Sequence, residues 1–287
     1  IIRKYRNMSK VRFYIAMAAA KTAHRLLRLC GRAATHTPGA VATKLCPDFL
    51  RYLQKPETLI CVTGTDGKTT VSNLLATVLQ NNGYTVTNNS YGSNICEGVV
   101  SALLTDATFS GKPKKQVGVL EVDERSSLKV YKYLTPDILI CNNIMRDSLK
   151  RNAHTEFICY ILNKQLPSST KVVLNADDLI CSGLFPNNKD RTYFGVSADR
   201  PENGAATDEA LRDIVYCPKC GAKLETEYVR YNHIGRHHCS SCGFASPKPD
   251  YDVTAINREK GTFTVTHNGV DEEYKIVNDN IINIYNS

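Results

Sequence analysis

The stretch TLICVTGTDGKTTVSNLLATVLQ, residues 58–80, places a glycine-rich turn between an apolar strand and a helix. Thr58–Val62 is mainly apolar, as in a buried strand. Val71, Leu74, Leu75, Val78 and Leu79 recur at helical spacing and predict one apolar helix face. The intervening turn, Gly64–Thr70, gathers backbone N–H groups at the positive end of that helix. This order of elements predicts a loop that binds phosphate groups.

Two residues of the loop indicate a nucleotide. Lys68 is placed to reach terminal phosphates, and a threonine hydroxyl is placed to bind Mg²⁺. The strict Walker sequence has glycine at position 62, where this chain has Val62. The alternative is a glycine-rich turn with an incidental lysine, but the Gly-Lys-Thr core between strand and helix favours phosphate binding.

Four further apolar runs alternate with helix-length segments, at residues 116–122, 137–142, 171–176 and 192–196. The alternation predicts βαβ units and an α/β fold with a mostly parallel sheet flanked by helices. Asn82-Gly83 is expected to end the first helix, and Tyr84–Thr87 to begin the next strand. Residues 261–276 alternate around Asn268-Gly269, which predicts a β-hairpin.

Acidic residues close the run VLEVDE at Glu121, Asp123 and Glu124. Ligand sites form at the carboxyl ends of parallel strands, and carboxylates are the side chains that hold Mg²⁺. The alternative for all three residues is a solvated strand end.

Two paired cysteines predict a metal site. Cys217-x2-Cys220 and Cys239-x2-Cys242 are separated by eighteen residues, and each pair is followed by glycine. Four thiolates complete a tetrahedral Zn²⁺ site with no open position, so a structural zinc ribbon is expected at about 214–249. Redox use is the alternative, and the nearby histidines are possible substitute ligands: His233, His237 and His238.

A zinc ribbon also suggests nucleic-acid binding. Basic and aromatic residues lie between the knuckles, namely Lys223, Tyr228, Arg230, Tyr231 and Arg236. Glu225 and Glu227 dilute their charge, and the ribbon interrupts an apparent ATPase domain. A structural or partner-docking appendage is therefore favoured, and no nucleic acid is expected.

The net charge of +8 is concentrated at the start of the chain, where no acidic residue precedes Asp48. A helical stripe is expected from Lys21, Arg25, Arg28 and Arg32, with Ile15, Ala19, Leu26 and Cys30 facing the other way. One interpretation is a basic amphipathic helix near an anionic membrane or substrate. The other is a solvated helix whose apolar side packs on the protein.

The bulk composition is globular: 287 residues, 42% apolar and 22% charged. No apolar run approaches the roughly 20 residues of a membrane-spanning helix. The 11 cysteines are odd in number and no signal peptide is visible, which favours a reducing cytoplasm. The first residue is not Met, so we expect a fragment.

Five motifs, VTGTDGKTT, LEVDE, NNIMRD, VVLNADD and NIYN, resemble the successive motifs of the central ATPase domain of the Mur ligase family. That family activates a carboxylate as an acyl-phosphate and then adds an amine. Its P-loop lacks the first Walker glycine, which accounts for Val62, but it usually has Asn where this chain has Asp66.

The resemblance implies a role for each matching residue. The implied nucleotide contacts are Gly64, Thr65, Asp66, Gly67, Lys68, Thr69, Thr70, Asn143, Asn283 and Asn286, the last two near adenine. Thr69 and Glu121 are implied as magnesium ligands, and Lys68 and Glu121 as catalytic residues. In the motif that contains Asn143 and Asp147, Ser148 replaces the usual metal-binding His and Lys150 the second Asp, so no metal ligand is expected there.

The inserted ribbon resembles the MurT branch of this family, the synthetase subunit of lipid II isoglutaminyl synthase. The implied reaction is ATP-dependent amidation of the D-glutamate α-carboxylate in the lipid II stem peptide. A GatD-type glutaminase partner would supply ammonia, and the lipid-linked substrate implies the inner membrane surface. An amino acid as nucleophile, or a P-loop ATPase with a nucleic-acid-binding ribbon, are the alternatives. The expected domains are 1–47, a basic helix and linker, and 48–287, the ATPase domain.

Overall fold

The computed structural model describes residues 2–89, 93–146, 154–200, 214–276 and 280–287. The chain forms two compact units. The first comprises Ile1–Thr63, Lys68–Leu139 and Lys164–Thr170, and the second Gly64–Gly67, Ile140–Asn163 and Lys171–Ser287.

The helices of the described residues range from one turn to 28 residues. They are α1 (Ile2–Leu29), α2 (Thr37–Leu45), α3 (Lys68–Asn81), α4 (Cys96–Thr105), α5 (Ser127–Val130), α6 (Thr155–Gln165), α7 (Leu179–Ser182) and α8 (Ile281–Tyr285), with a 3₁₀ turn at Phe49–Tyr52. Across the described ranges, we find none with the length and apolar character needed to cross a bilayer.

The strands include those that were predicted, in the predicted order, and three between residues 225 and 257 that were not. They are β1 (Thr58–Thr63), β2 (Val86–Asn88), β3 (Val117–Glu121), β4 (Ile138–Cys141), β5 (Lys171–Asn175), β6 (Arg191–Val196), β7 (Glu225–Tyr231), β8 (Ile234–His238), β9 (Tyr251–Asn257), β10 (Thr262–His267) and β11 (Val270–Lys275). The α/β fold with a mostly parallel sheet is confirmed.

In the first unit, β3 lies between β1 and β2 and is parallel to both. Every residue of β3 is buried, as expected where a strand is covered on both faces. Helix α3 forms as predicted and ends where Gly83 adopts a φ of 87°. Its buried positions are the small Ser72 and Ala76, whereas Leu74 and Val78 are exposed. The predicted apolar face was therefore wrong by part of a turn, because small residues allow the helix to approach closely.

Helix α1 packs through a face that the sequence analysis did not predict. Phe13, Ala16, Met17 and Ala20 are buried, whereas Ile15, Leu26 and Cys30, expected on the inner side, are exposed. Phe13 packs against the rings of Phe49 and Tyr52.

Lys21 also departs from its predicted place in a solvated basic stripe. Its ammonium donates to the carbonyl oxygens of Leu104 and Ala107, each at 2.7 Å. Burial and neighbouring cations lower the Lys21 pKa. The carbonyls at the end of α4 thus draw this lysine out of the stripe.

In the second unit, β5, β6 and β9 are parallel, and β10 and β11 continue as antiparallel strands. The hairpin predicted at Asn268-Gly269 is confirmed, with φ values of 52° and 77° that suit a type I′ turn. The core of this unit includes Met145, Val253 and Phe263. Strands β7 and β8 form a separate antiparallel pair between the two knuckles.

Candidate functional site

Two positions of the glycine-rich loop have a backbone conformation that favours glycine. Gly64 and Gly67 have φ values of 127° and 79°, which L side chains rarely adopt. A Cβ on Gly64 would lie 2.8 Å from the Asn143 carbonyl oxygen, and one on Gly67 would lie 2.1 Å from Asn286 Oδ1. A side chain at Gly64 would therefore meet backbone atoms, whereas one at Gly67 would require the Asn286 side chain to move.

Asn143 holds the backbone of this loop. Its carbonyl oxygen accepts from the Thr65 N–H at 2.9 Å, and its Oδ1 accepts from the Asp66 N–H at 2.9 Å. Its Nδ2 donates to the Asp66 carbonyl oxygen at 3.3 Å. The Thr65 hydroxyl accepts from the Met145 N–H at 2.8 Å. The predicted nucleotide residue Asn143 thus positions the loop, and nothing in the structure explains the acidic Asp66.

The two asparagines predicted near adenine lie differently. Asn286, which follows α8, is buried and its side chain lies against Gly67. Asn283 lies within α8, is half-buried, and its N–H donates to the Asn280 carbonyl oxygen. The structure therefore brings Asn286 to the loop, and among the described contacts we find none that does the same for Asn283.

In the first unit, α3 begins at Lys68, the predicted phosphate-binding lysine. Lys68 Nζ lies 3.3 Å from Glu124 Oε1, and the two side chains are 11% and 2% exposed. Burial raises the pKa of Glu124, and the Lys68 charge opposes that shift. The solvated strand end considered for Glu124 is wrong, because this carboxylate is buried beside the lysine.

The next residue of α3 contacts the other buried carboxylate. Thr69 Oγ1 donates to Glu121 Oε2 at 2.7 Å, and Asn94 Nδ2 donates to Glu121 Oε1 at 3.0 Å. Asn89 fixes the Glu121 backbone through two hydrogen bonds of 2.8 Å. Thr69 and Glu121, the predicted magnesium ligands, therefore form one hydroxyl–carboxylate pair.

Asp178 anchors the segment that contains Asn143, and the sequence analysis missed it. Its Oδ2 accepts from the Ile144 N–H at 2.7 Å. Its Oδ1 accepts from the N–H groups of Ile180 and Cys181, which caps α7. His233, at the turn between β7 and β8, places Nε2 3.0 Å from the same oxygen. Only the quoted motif VVLNADD pointed to this residue.

The neighbouring Asp177 ties the ribbon hairpin to α8. Its Oδ2 accepts from the Tyr285 hydroxyl at 2.7 Å and from the Val196 N–H at 2.9 Å. Its Oδ1 lies 3.1 Å from Arg236 in β8. Burial raises the Asp177 pKa, whereas these donors lower it.

The four predicted zinc ligands converge. The Sγ atoms of Cys217, Cys220, Cys239 and Cys242 all lie within 4.8 Å of one another. The Cys217–Cys242 and Cys220–Cys239 distances are both 3.6 Å, close to the edge of a tetrahedron with Zn–S bonds of about 2.3 Å and far beyond a disulfide. In each knuckle a glycine with positive φ donates back to the first cysteine: Gly221 to Cys217 and Gly243 to Cys239.

The other polar residues of the ribbon are engaged within the fold. His233 contacts Asp178, while His237 contacts Thr226 and His238 contacts Glu225. Arg230 donates to the carbonyl oxygens of Val196 and Ala198. Tyr228 is buried, and Tyr231 packs on Tyr285. These side chains are therefore not free on the surface to bind nucleic acid, which weakens that alternative. The three histidines contact protein groups other than the four cysteines.

Three residues of the altered motif, Asp147, Ser148 and Lys150, lie outside the described residues.

Thr70 lies in the first turn of α3, where its backbone N–H is among those without a partner inside the helix. The helix start adds the positive end that phosphates favour.

The chain resembles known proteins over most of its length. It is 32% identical over 249 residues to the lipid II isoglutaminyl synthase (glutamine-hydrolyzing) subunit MurT of Staphylococcus aureus strain COL, covering 86% of this chain and 55% of that protein. It is 30% identical over 280 residues to the Streptococcus pneumoniae subunit of the same name, covering 95% of this chain and 60% of that protein. The chain thus spans a little over half of these relatives.

Solved structures agree with this similarity. A pseudomurein peptide ligase type C from Methanothermus fervidus matches with a TM-score of 0.61 and 26% identity, over 84% of this chain and 46% of that one. Residues 62–239 match the family model of the Mur ligase middle domain. The chain therefore belongs to the Mur ligase family and contains its middle domain.

Proposed function

We propose that the loop Gly64–Thr70 binds the phosphates of ATP and that Lys68 contacts the phosphoryl group that is transferred. The observation that carries this proposal is the pairing of the loop's Lys68 and Thr69 with two buried carboxylates, Glu124 and Glu121. A buried lysine at a helix start that contacts a carboxylate can exchange that contact for phosphate oxygens when a nucleotide enters.

The donor set also fits magnesium. Thr69 supplies a hydroxyl, and Glu121 supplies a buried carboxylate that accepts two hydrogen bonds. Both offer hard oxygen atoms, which are the ligands that Mg²⁺ prefers. The ion, when bound, would neutralise charge on the phosphates. Asn94 holds the Glu121 carboxylate and Asn89 holds the Glu121 backbone, so contacts within the protein orient this carboxylate.

The proposed reaction forms an acyl-phosphate. A substrate carboxylate oxygen attacks the γ-phosphorus of ATP, the bond to the β,γ-bridging oxygen breaks, and ADP leaves. Ammonia then attacks the acyl carbon, the bond to the phosphate oxygen breaks, and inorganic phosphate leaves while nitrogen loses a proton. Lys68 stabilises charge on the phosphoryl group during the first step.

For the substrate, we propose lipid II, amidated at the α-carboxylate of D-glutamate in its stem peptide. The curated relatives carry the names of lipid II isoglutaminyl synthase subunits, glutamine-hydrolyzing. A GatD-type glutaminase partner would supply ammonia in the cytoplasm, at the inner membrane face. The zinc of the cysteine ribbon would be structural, because four thiolates leave it no open position.

A second candidate keeps the activation step and changes the nucleophile. The similarity to a peptide ligase at 26% identity favours an amino acid in place of ammonia. The two candidates differ in the product: an amide in one, and a product longer by one residue in the other.

The test is mass analysis of lipid II incubated with full-length protein, ATP, glutamine and a candidate glutaminase. Amidation lowers the mass by about one unit per carboxylate, and addition of an amino acid raises it by a residue mass. Parallel reactions contain an amino-acid mixture without glutaminase. Unchanged lipid II in both reactions, with ATP not consumed, would overturn the proposal.

A further inference from the structure

The outer face of α1 is apolar, although the helix already packs on the first unit through its other face. From residue 10 onward, where the side chains of α1 are described, five large apolar side chains are exposed by 50% to 83%: Val11, Tyr14, Ile15, Leu26 and Leu29. Their spacings of three, four and eleven residues put them on one side of a helix. A helix that is buried on one side by its own fold has no need of a second apolar stripe. This outer stripe is the part of α1 that packing on the first unit leaves uncovered.

The charges beside the stripe have one sign. Exposed basic residues lie at its edges and just past its end, at Lys10, Arg12, Arg28 and Arg32, and the exposed Arg25 lies within it beside Leu26. No acidic residue precedes Asp48 in the sequence. Long basic side chains beside an apolar stripe can extend their charged ends to lipid phosphates while the apolar side chains enter the acyl region.

We propose that the outer face of α1 docks on an anionic lipid bilayer, with the helix axis lying in the plane of the surface. The stripe from Val11 to Leu29 is about 27 Å long at the rise of an α-helix. The basic edges provide the attraction to anionic headgroups, and the apolar stripe provides the insertion. Phe13, Ala16, Met17 and Ala20 keep the opposite face attached to the first unit.

This inference deepens the proposed function, which places the substrate at a membrane, but its physical basis is independent of the ligase chemistry. Docking by α1 would hold the first unit at the surface where a lipid-linked carboxylate is presented. The partner is the bilayer itself rather than the substrate headgroup.

The experiment is co-sedimentation of full-length protein with vesicles of phosphatidylcholine, alone or mixed equally with phosphatidylglycerol. Wild-type protein should bind the anionic vesicles, and binding should weaken with added salt. The double variant Ile15→Asp/Leu26→Asp should bind at least about tenfold more weakly, because two apolar anchors are lost. Val78→Asp, which changes an exposed apolar residue of α3, is the control and should bind like wild type.

A second variant separates the electrostatic part. Arg12→Gln/Arg28→Gln should weaken binding to anionic vesicles about thirtyfold, at about 1 kcal/mol per charge, and leave the weak binding to neutral vesicles unchanged. Failure of wild type to bind anionic vesicles, or equal binding by Ile15→Asp/Leu26→Asp, would overturn the proposal.

Light scattering on the same samples gives the other decisive outcome. A wild-type dimer that Ile15→Asp/Leu26→Asp converts to monomer, without vesicle binding, would make this face an interface between copies and overturn the membrane proposal. ATP binding by these variants should match wild type. Failure of wild type to bind vesicles while it still binds ATP would therefore count against α1 docking alone and leave the ligase proposal standing.

Discussion

The glycine-rich loop and the cysteine knuckles are both tight turns built on glycine, yet different contacts hold them. The Asp66 N–H of the loop bonds to Asn143, 77 residues away, and Gly67 lies against Asn286. In a knuckle, the Gly221 N–H bonds to Cys217 within the same turn. The loop depends on distant parts of the folded second unit, whereas the knuckle depends on its own sequence and on the zinc ion that we propose its cysteines bind.

This difference predicts different modes of failure. A knuckle should lose its structure when the metal is removed and should be insensitive to substitutions elsewhere in the chain. The loop should fail through residues that never touch a nucleotide, because they hold its backbone. A chain of contacts also links the two regions. His233, from the hairpin between the knuckles, contacts Asp178, and Asp178 accepts a hydrogen bond from Ile144. The neighbouring Asn143 bonds to the loop.

The largest expected effect is loss of the metal. Cys239→Ser should lower zinc content from one ion per chain and destabilise the full-length protein by about 4 kcal/mol or more, because metal binding supplies folding free energy. Metal analysis and denaturant unfolding measure both quantities. Cys30→Ser changes an exposed cysteine outside the cluster and serves as the control. Folded, active Cys239→Ser protein without metal would contradict the structural role.

Removal of the phosphate-binding charge comes next. Lys68→Ala should reduce ATP-dependent product formation by about a hundredfold or more, because the variant lacks a charge aimed at the transferred group. The steady-state rate with saturating ATP is the measurement. Lys129→Ala alters an exposed lysine of α5 and should retain the wild-type rate. A Lys68→Ala rate within twofold of wild type would contradict the assigned role.

The loop's dependence on distant contacts is tested by a pair of glycine variants. Gly67→Ala places a Cβ 2.1 Å from Asn286 Oδ1, whereas Gly83→Ala, with a similar positive φ, meets nothing within 4 Å. Both should cost about 1 kcal/mol of stability from backbone strain. Only Gly67→Ala should also weaken Mg·ATP binding, by about tenfold, as measured by calorimetry. Equal nucleotide affinity in the two variants would show that the contact with Asn286 is unimportant.

The link between the two regions should have a smaller effect. His233→Ala removes a buried partner of Asp178 and should raise the Mg·ATP dissociation constant about threefold to tenfold, with zinc content unchanged. His238→Ala breaks a contact with Glu225 between side chains that are 42% and 55% exposed, and should change neither quantity. If both variants bind nucleotide like wild type, the ribbon and the loop are energetically separate.

The smallest expected effect concerns pH. Burial raises the Glu124 pKa above its unfolded value, so this carboxyl favours the folded state below its unfolded pKa and loses that contribution as pH rises through the folded pKa. The stability of Glu124→Gln relative to wild type should therefore rise with pH, because the neutral amide avoids the desolvation of a charge but no longer pairs with Lys68. Thermal unfolding at several pH values measures this difference. A stability of Glu124→Gln, relative to wild type, that increases as pH falls would contradict a raised Glu124 pKa.

The elements were largely predictable from the sequence because their signals are local. Strand β1, the loop, the Asn268-Gly269 hairpin and the cysteine spacing all arise from neighbouring residues. The packing of α1 was not predictable, since its sequence has two apolar faces and periodicity alone does not determine which of them packs on the protein. Only the structure shows that Phe13 and Met17 face inward and Ile15 and Leu26 outward.

The site was predictable to the same extent. Lys68, Thr69 and Glu121 are given by motifs, and the structure pairs Thr69 with Glu121. Asp178 and His233 lie 55 residues apart, and their pairing follows from the path of the ribbon, which no local pattern encodes. The burial of Glu124 likewise depends on how α3 and the residues after β3 come together.

The most direct test of this account is calorimetric titration of Mg·ATP into full-length protein and its Lys68→Ala variant. The account predicts saturable binding by wild type that requires magnesium and falls at least about tenfold in the variant. Binding that is absent in folded wild-type protein, or that is the same with and without Lys68, would contradict it.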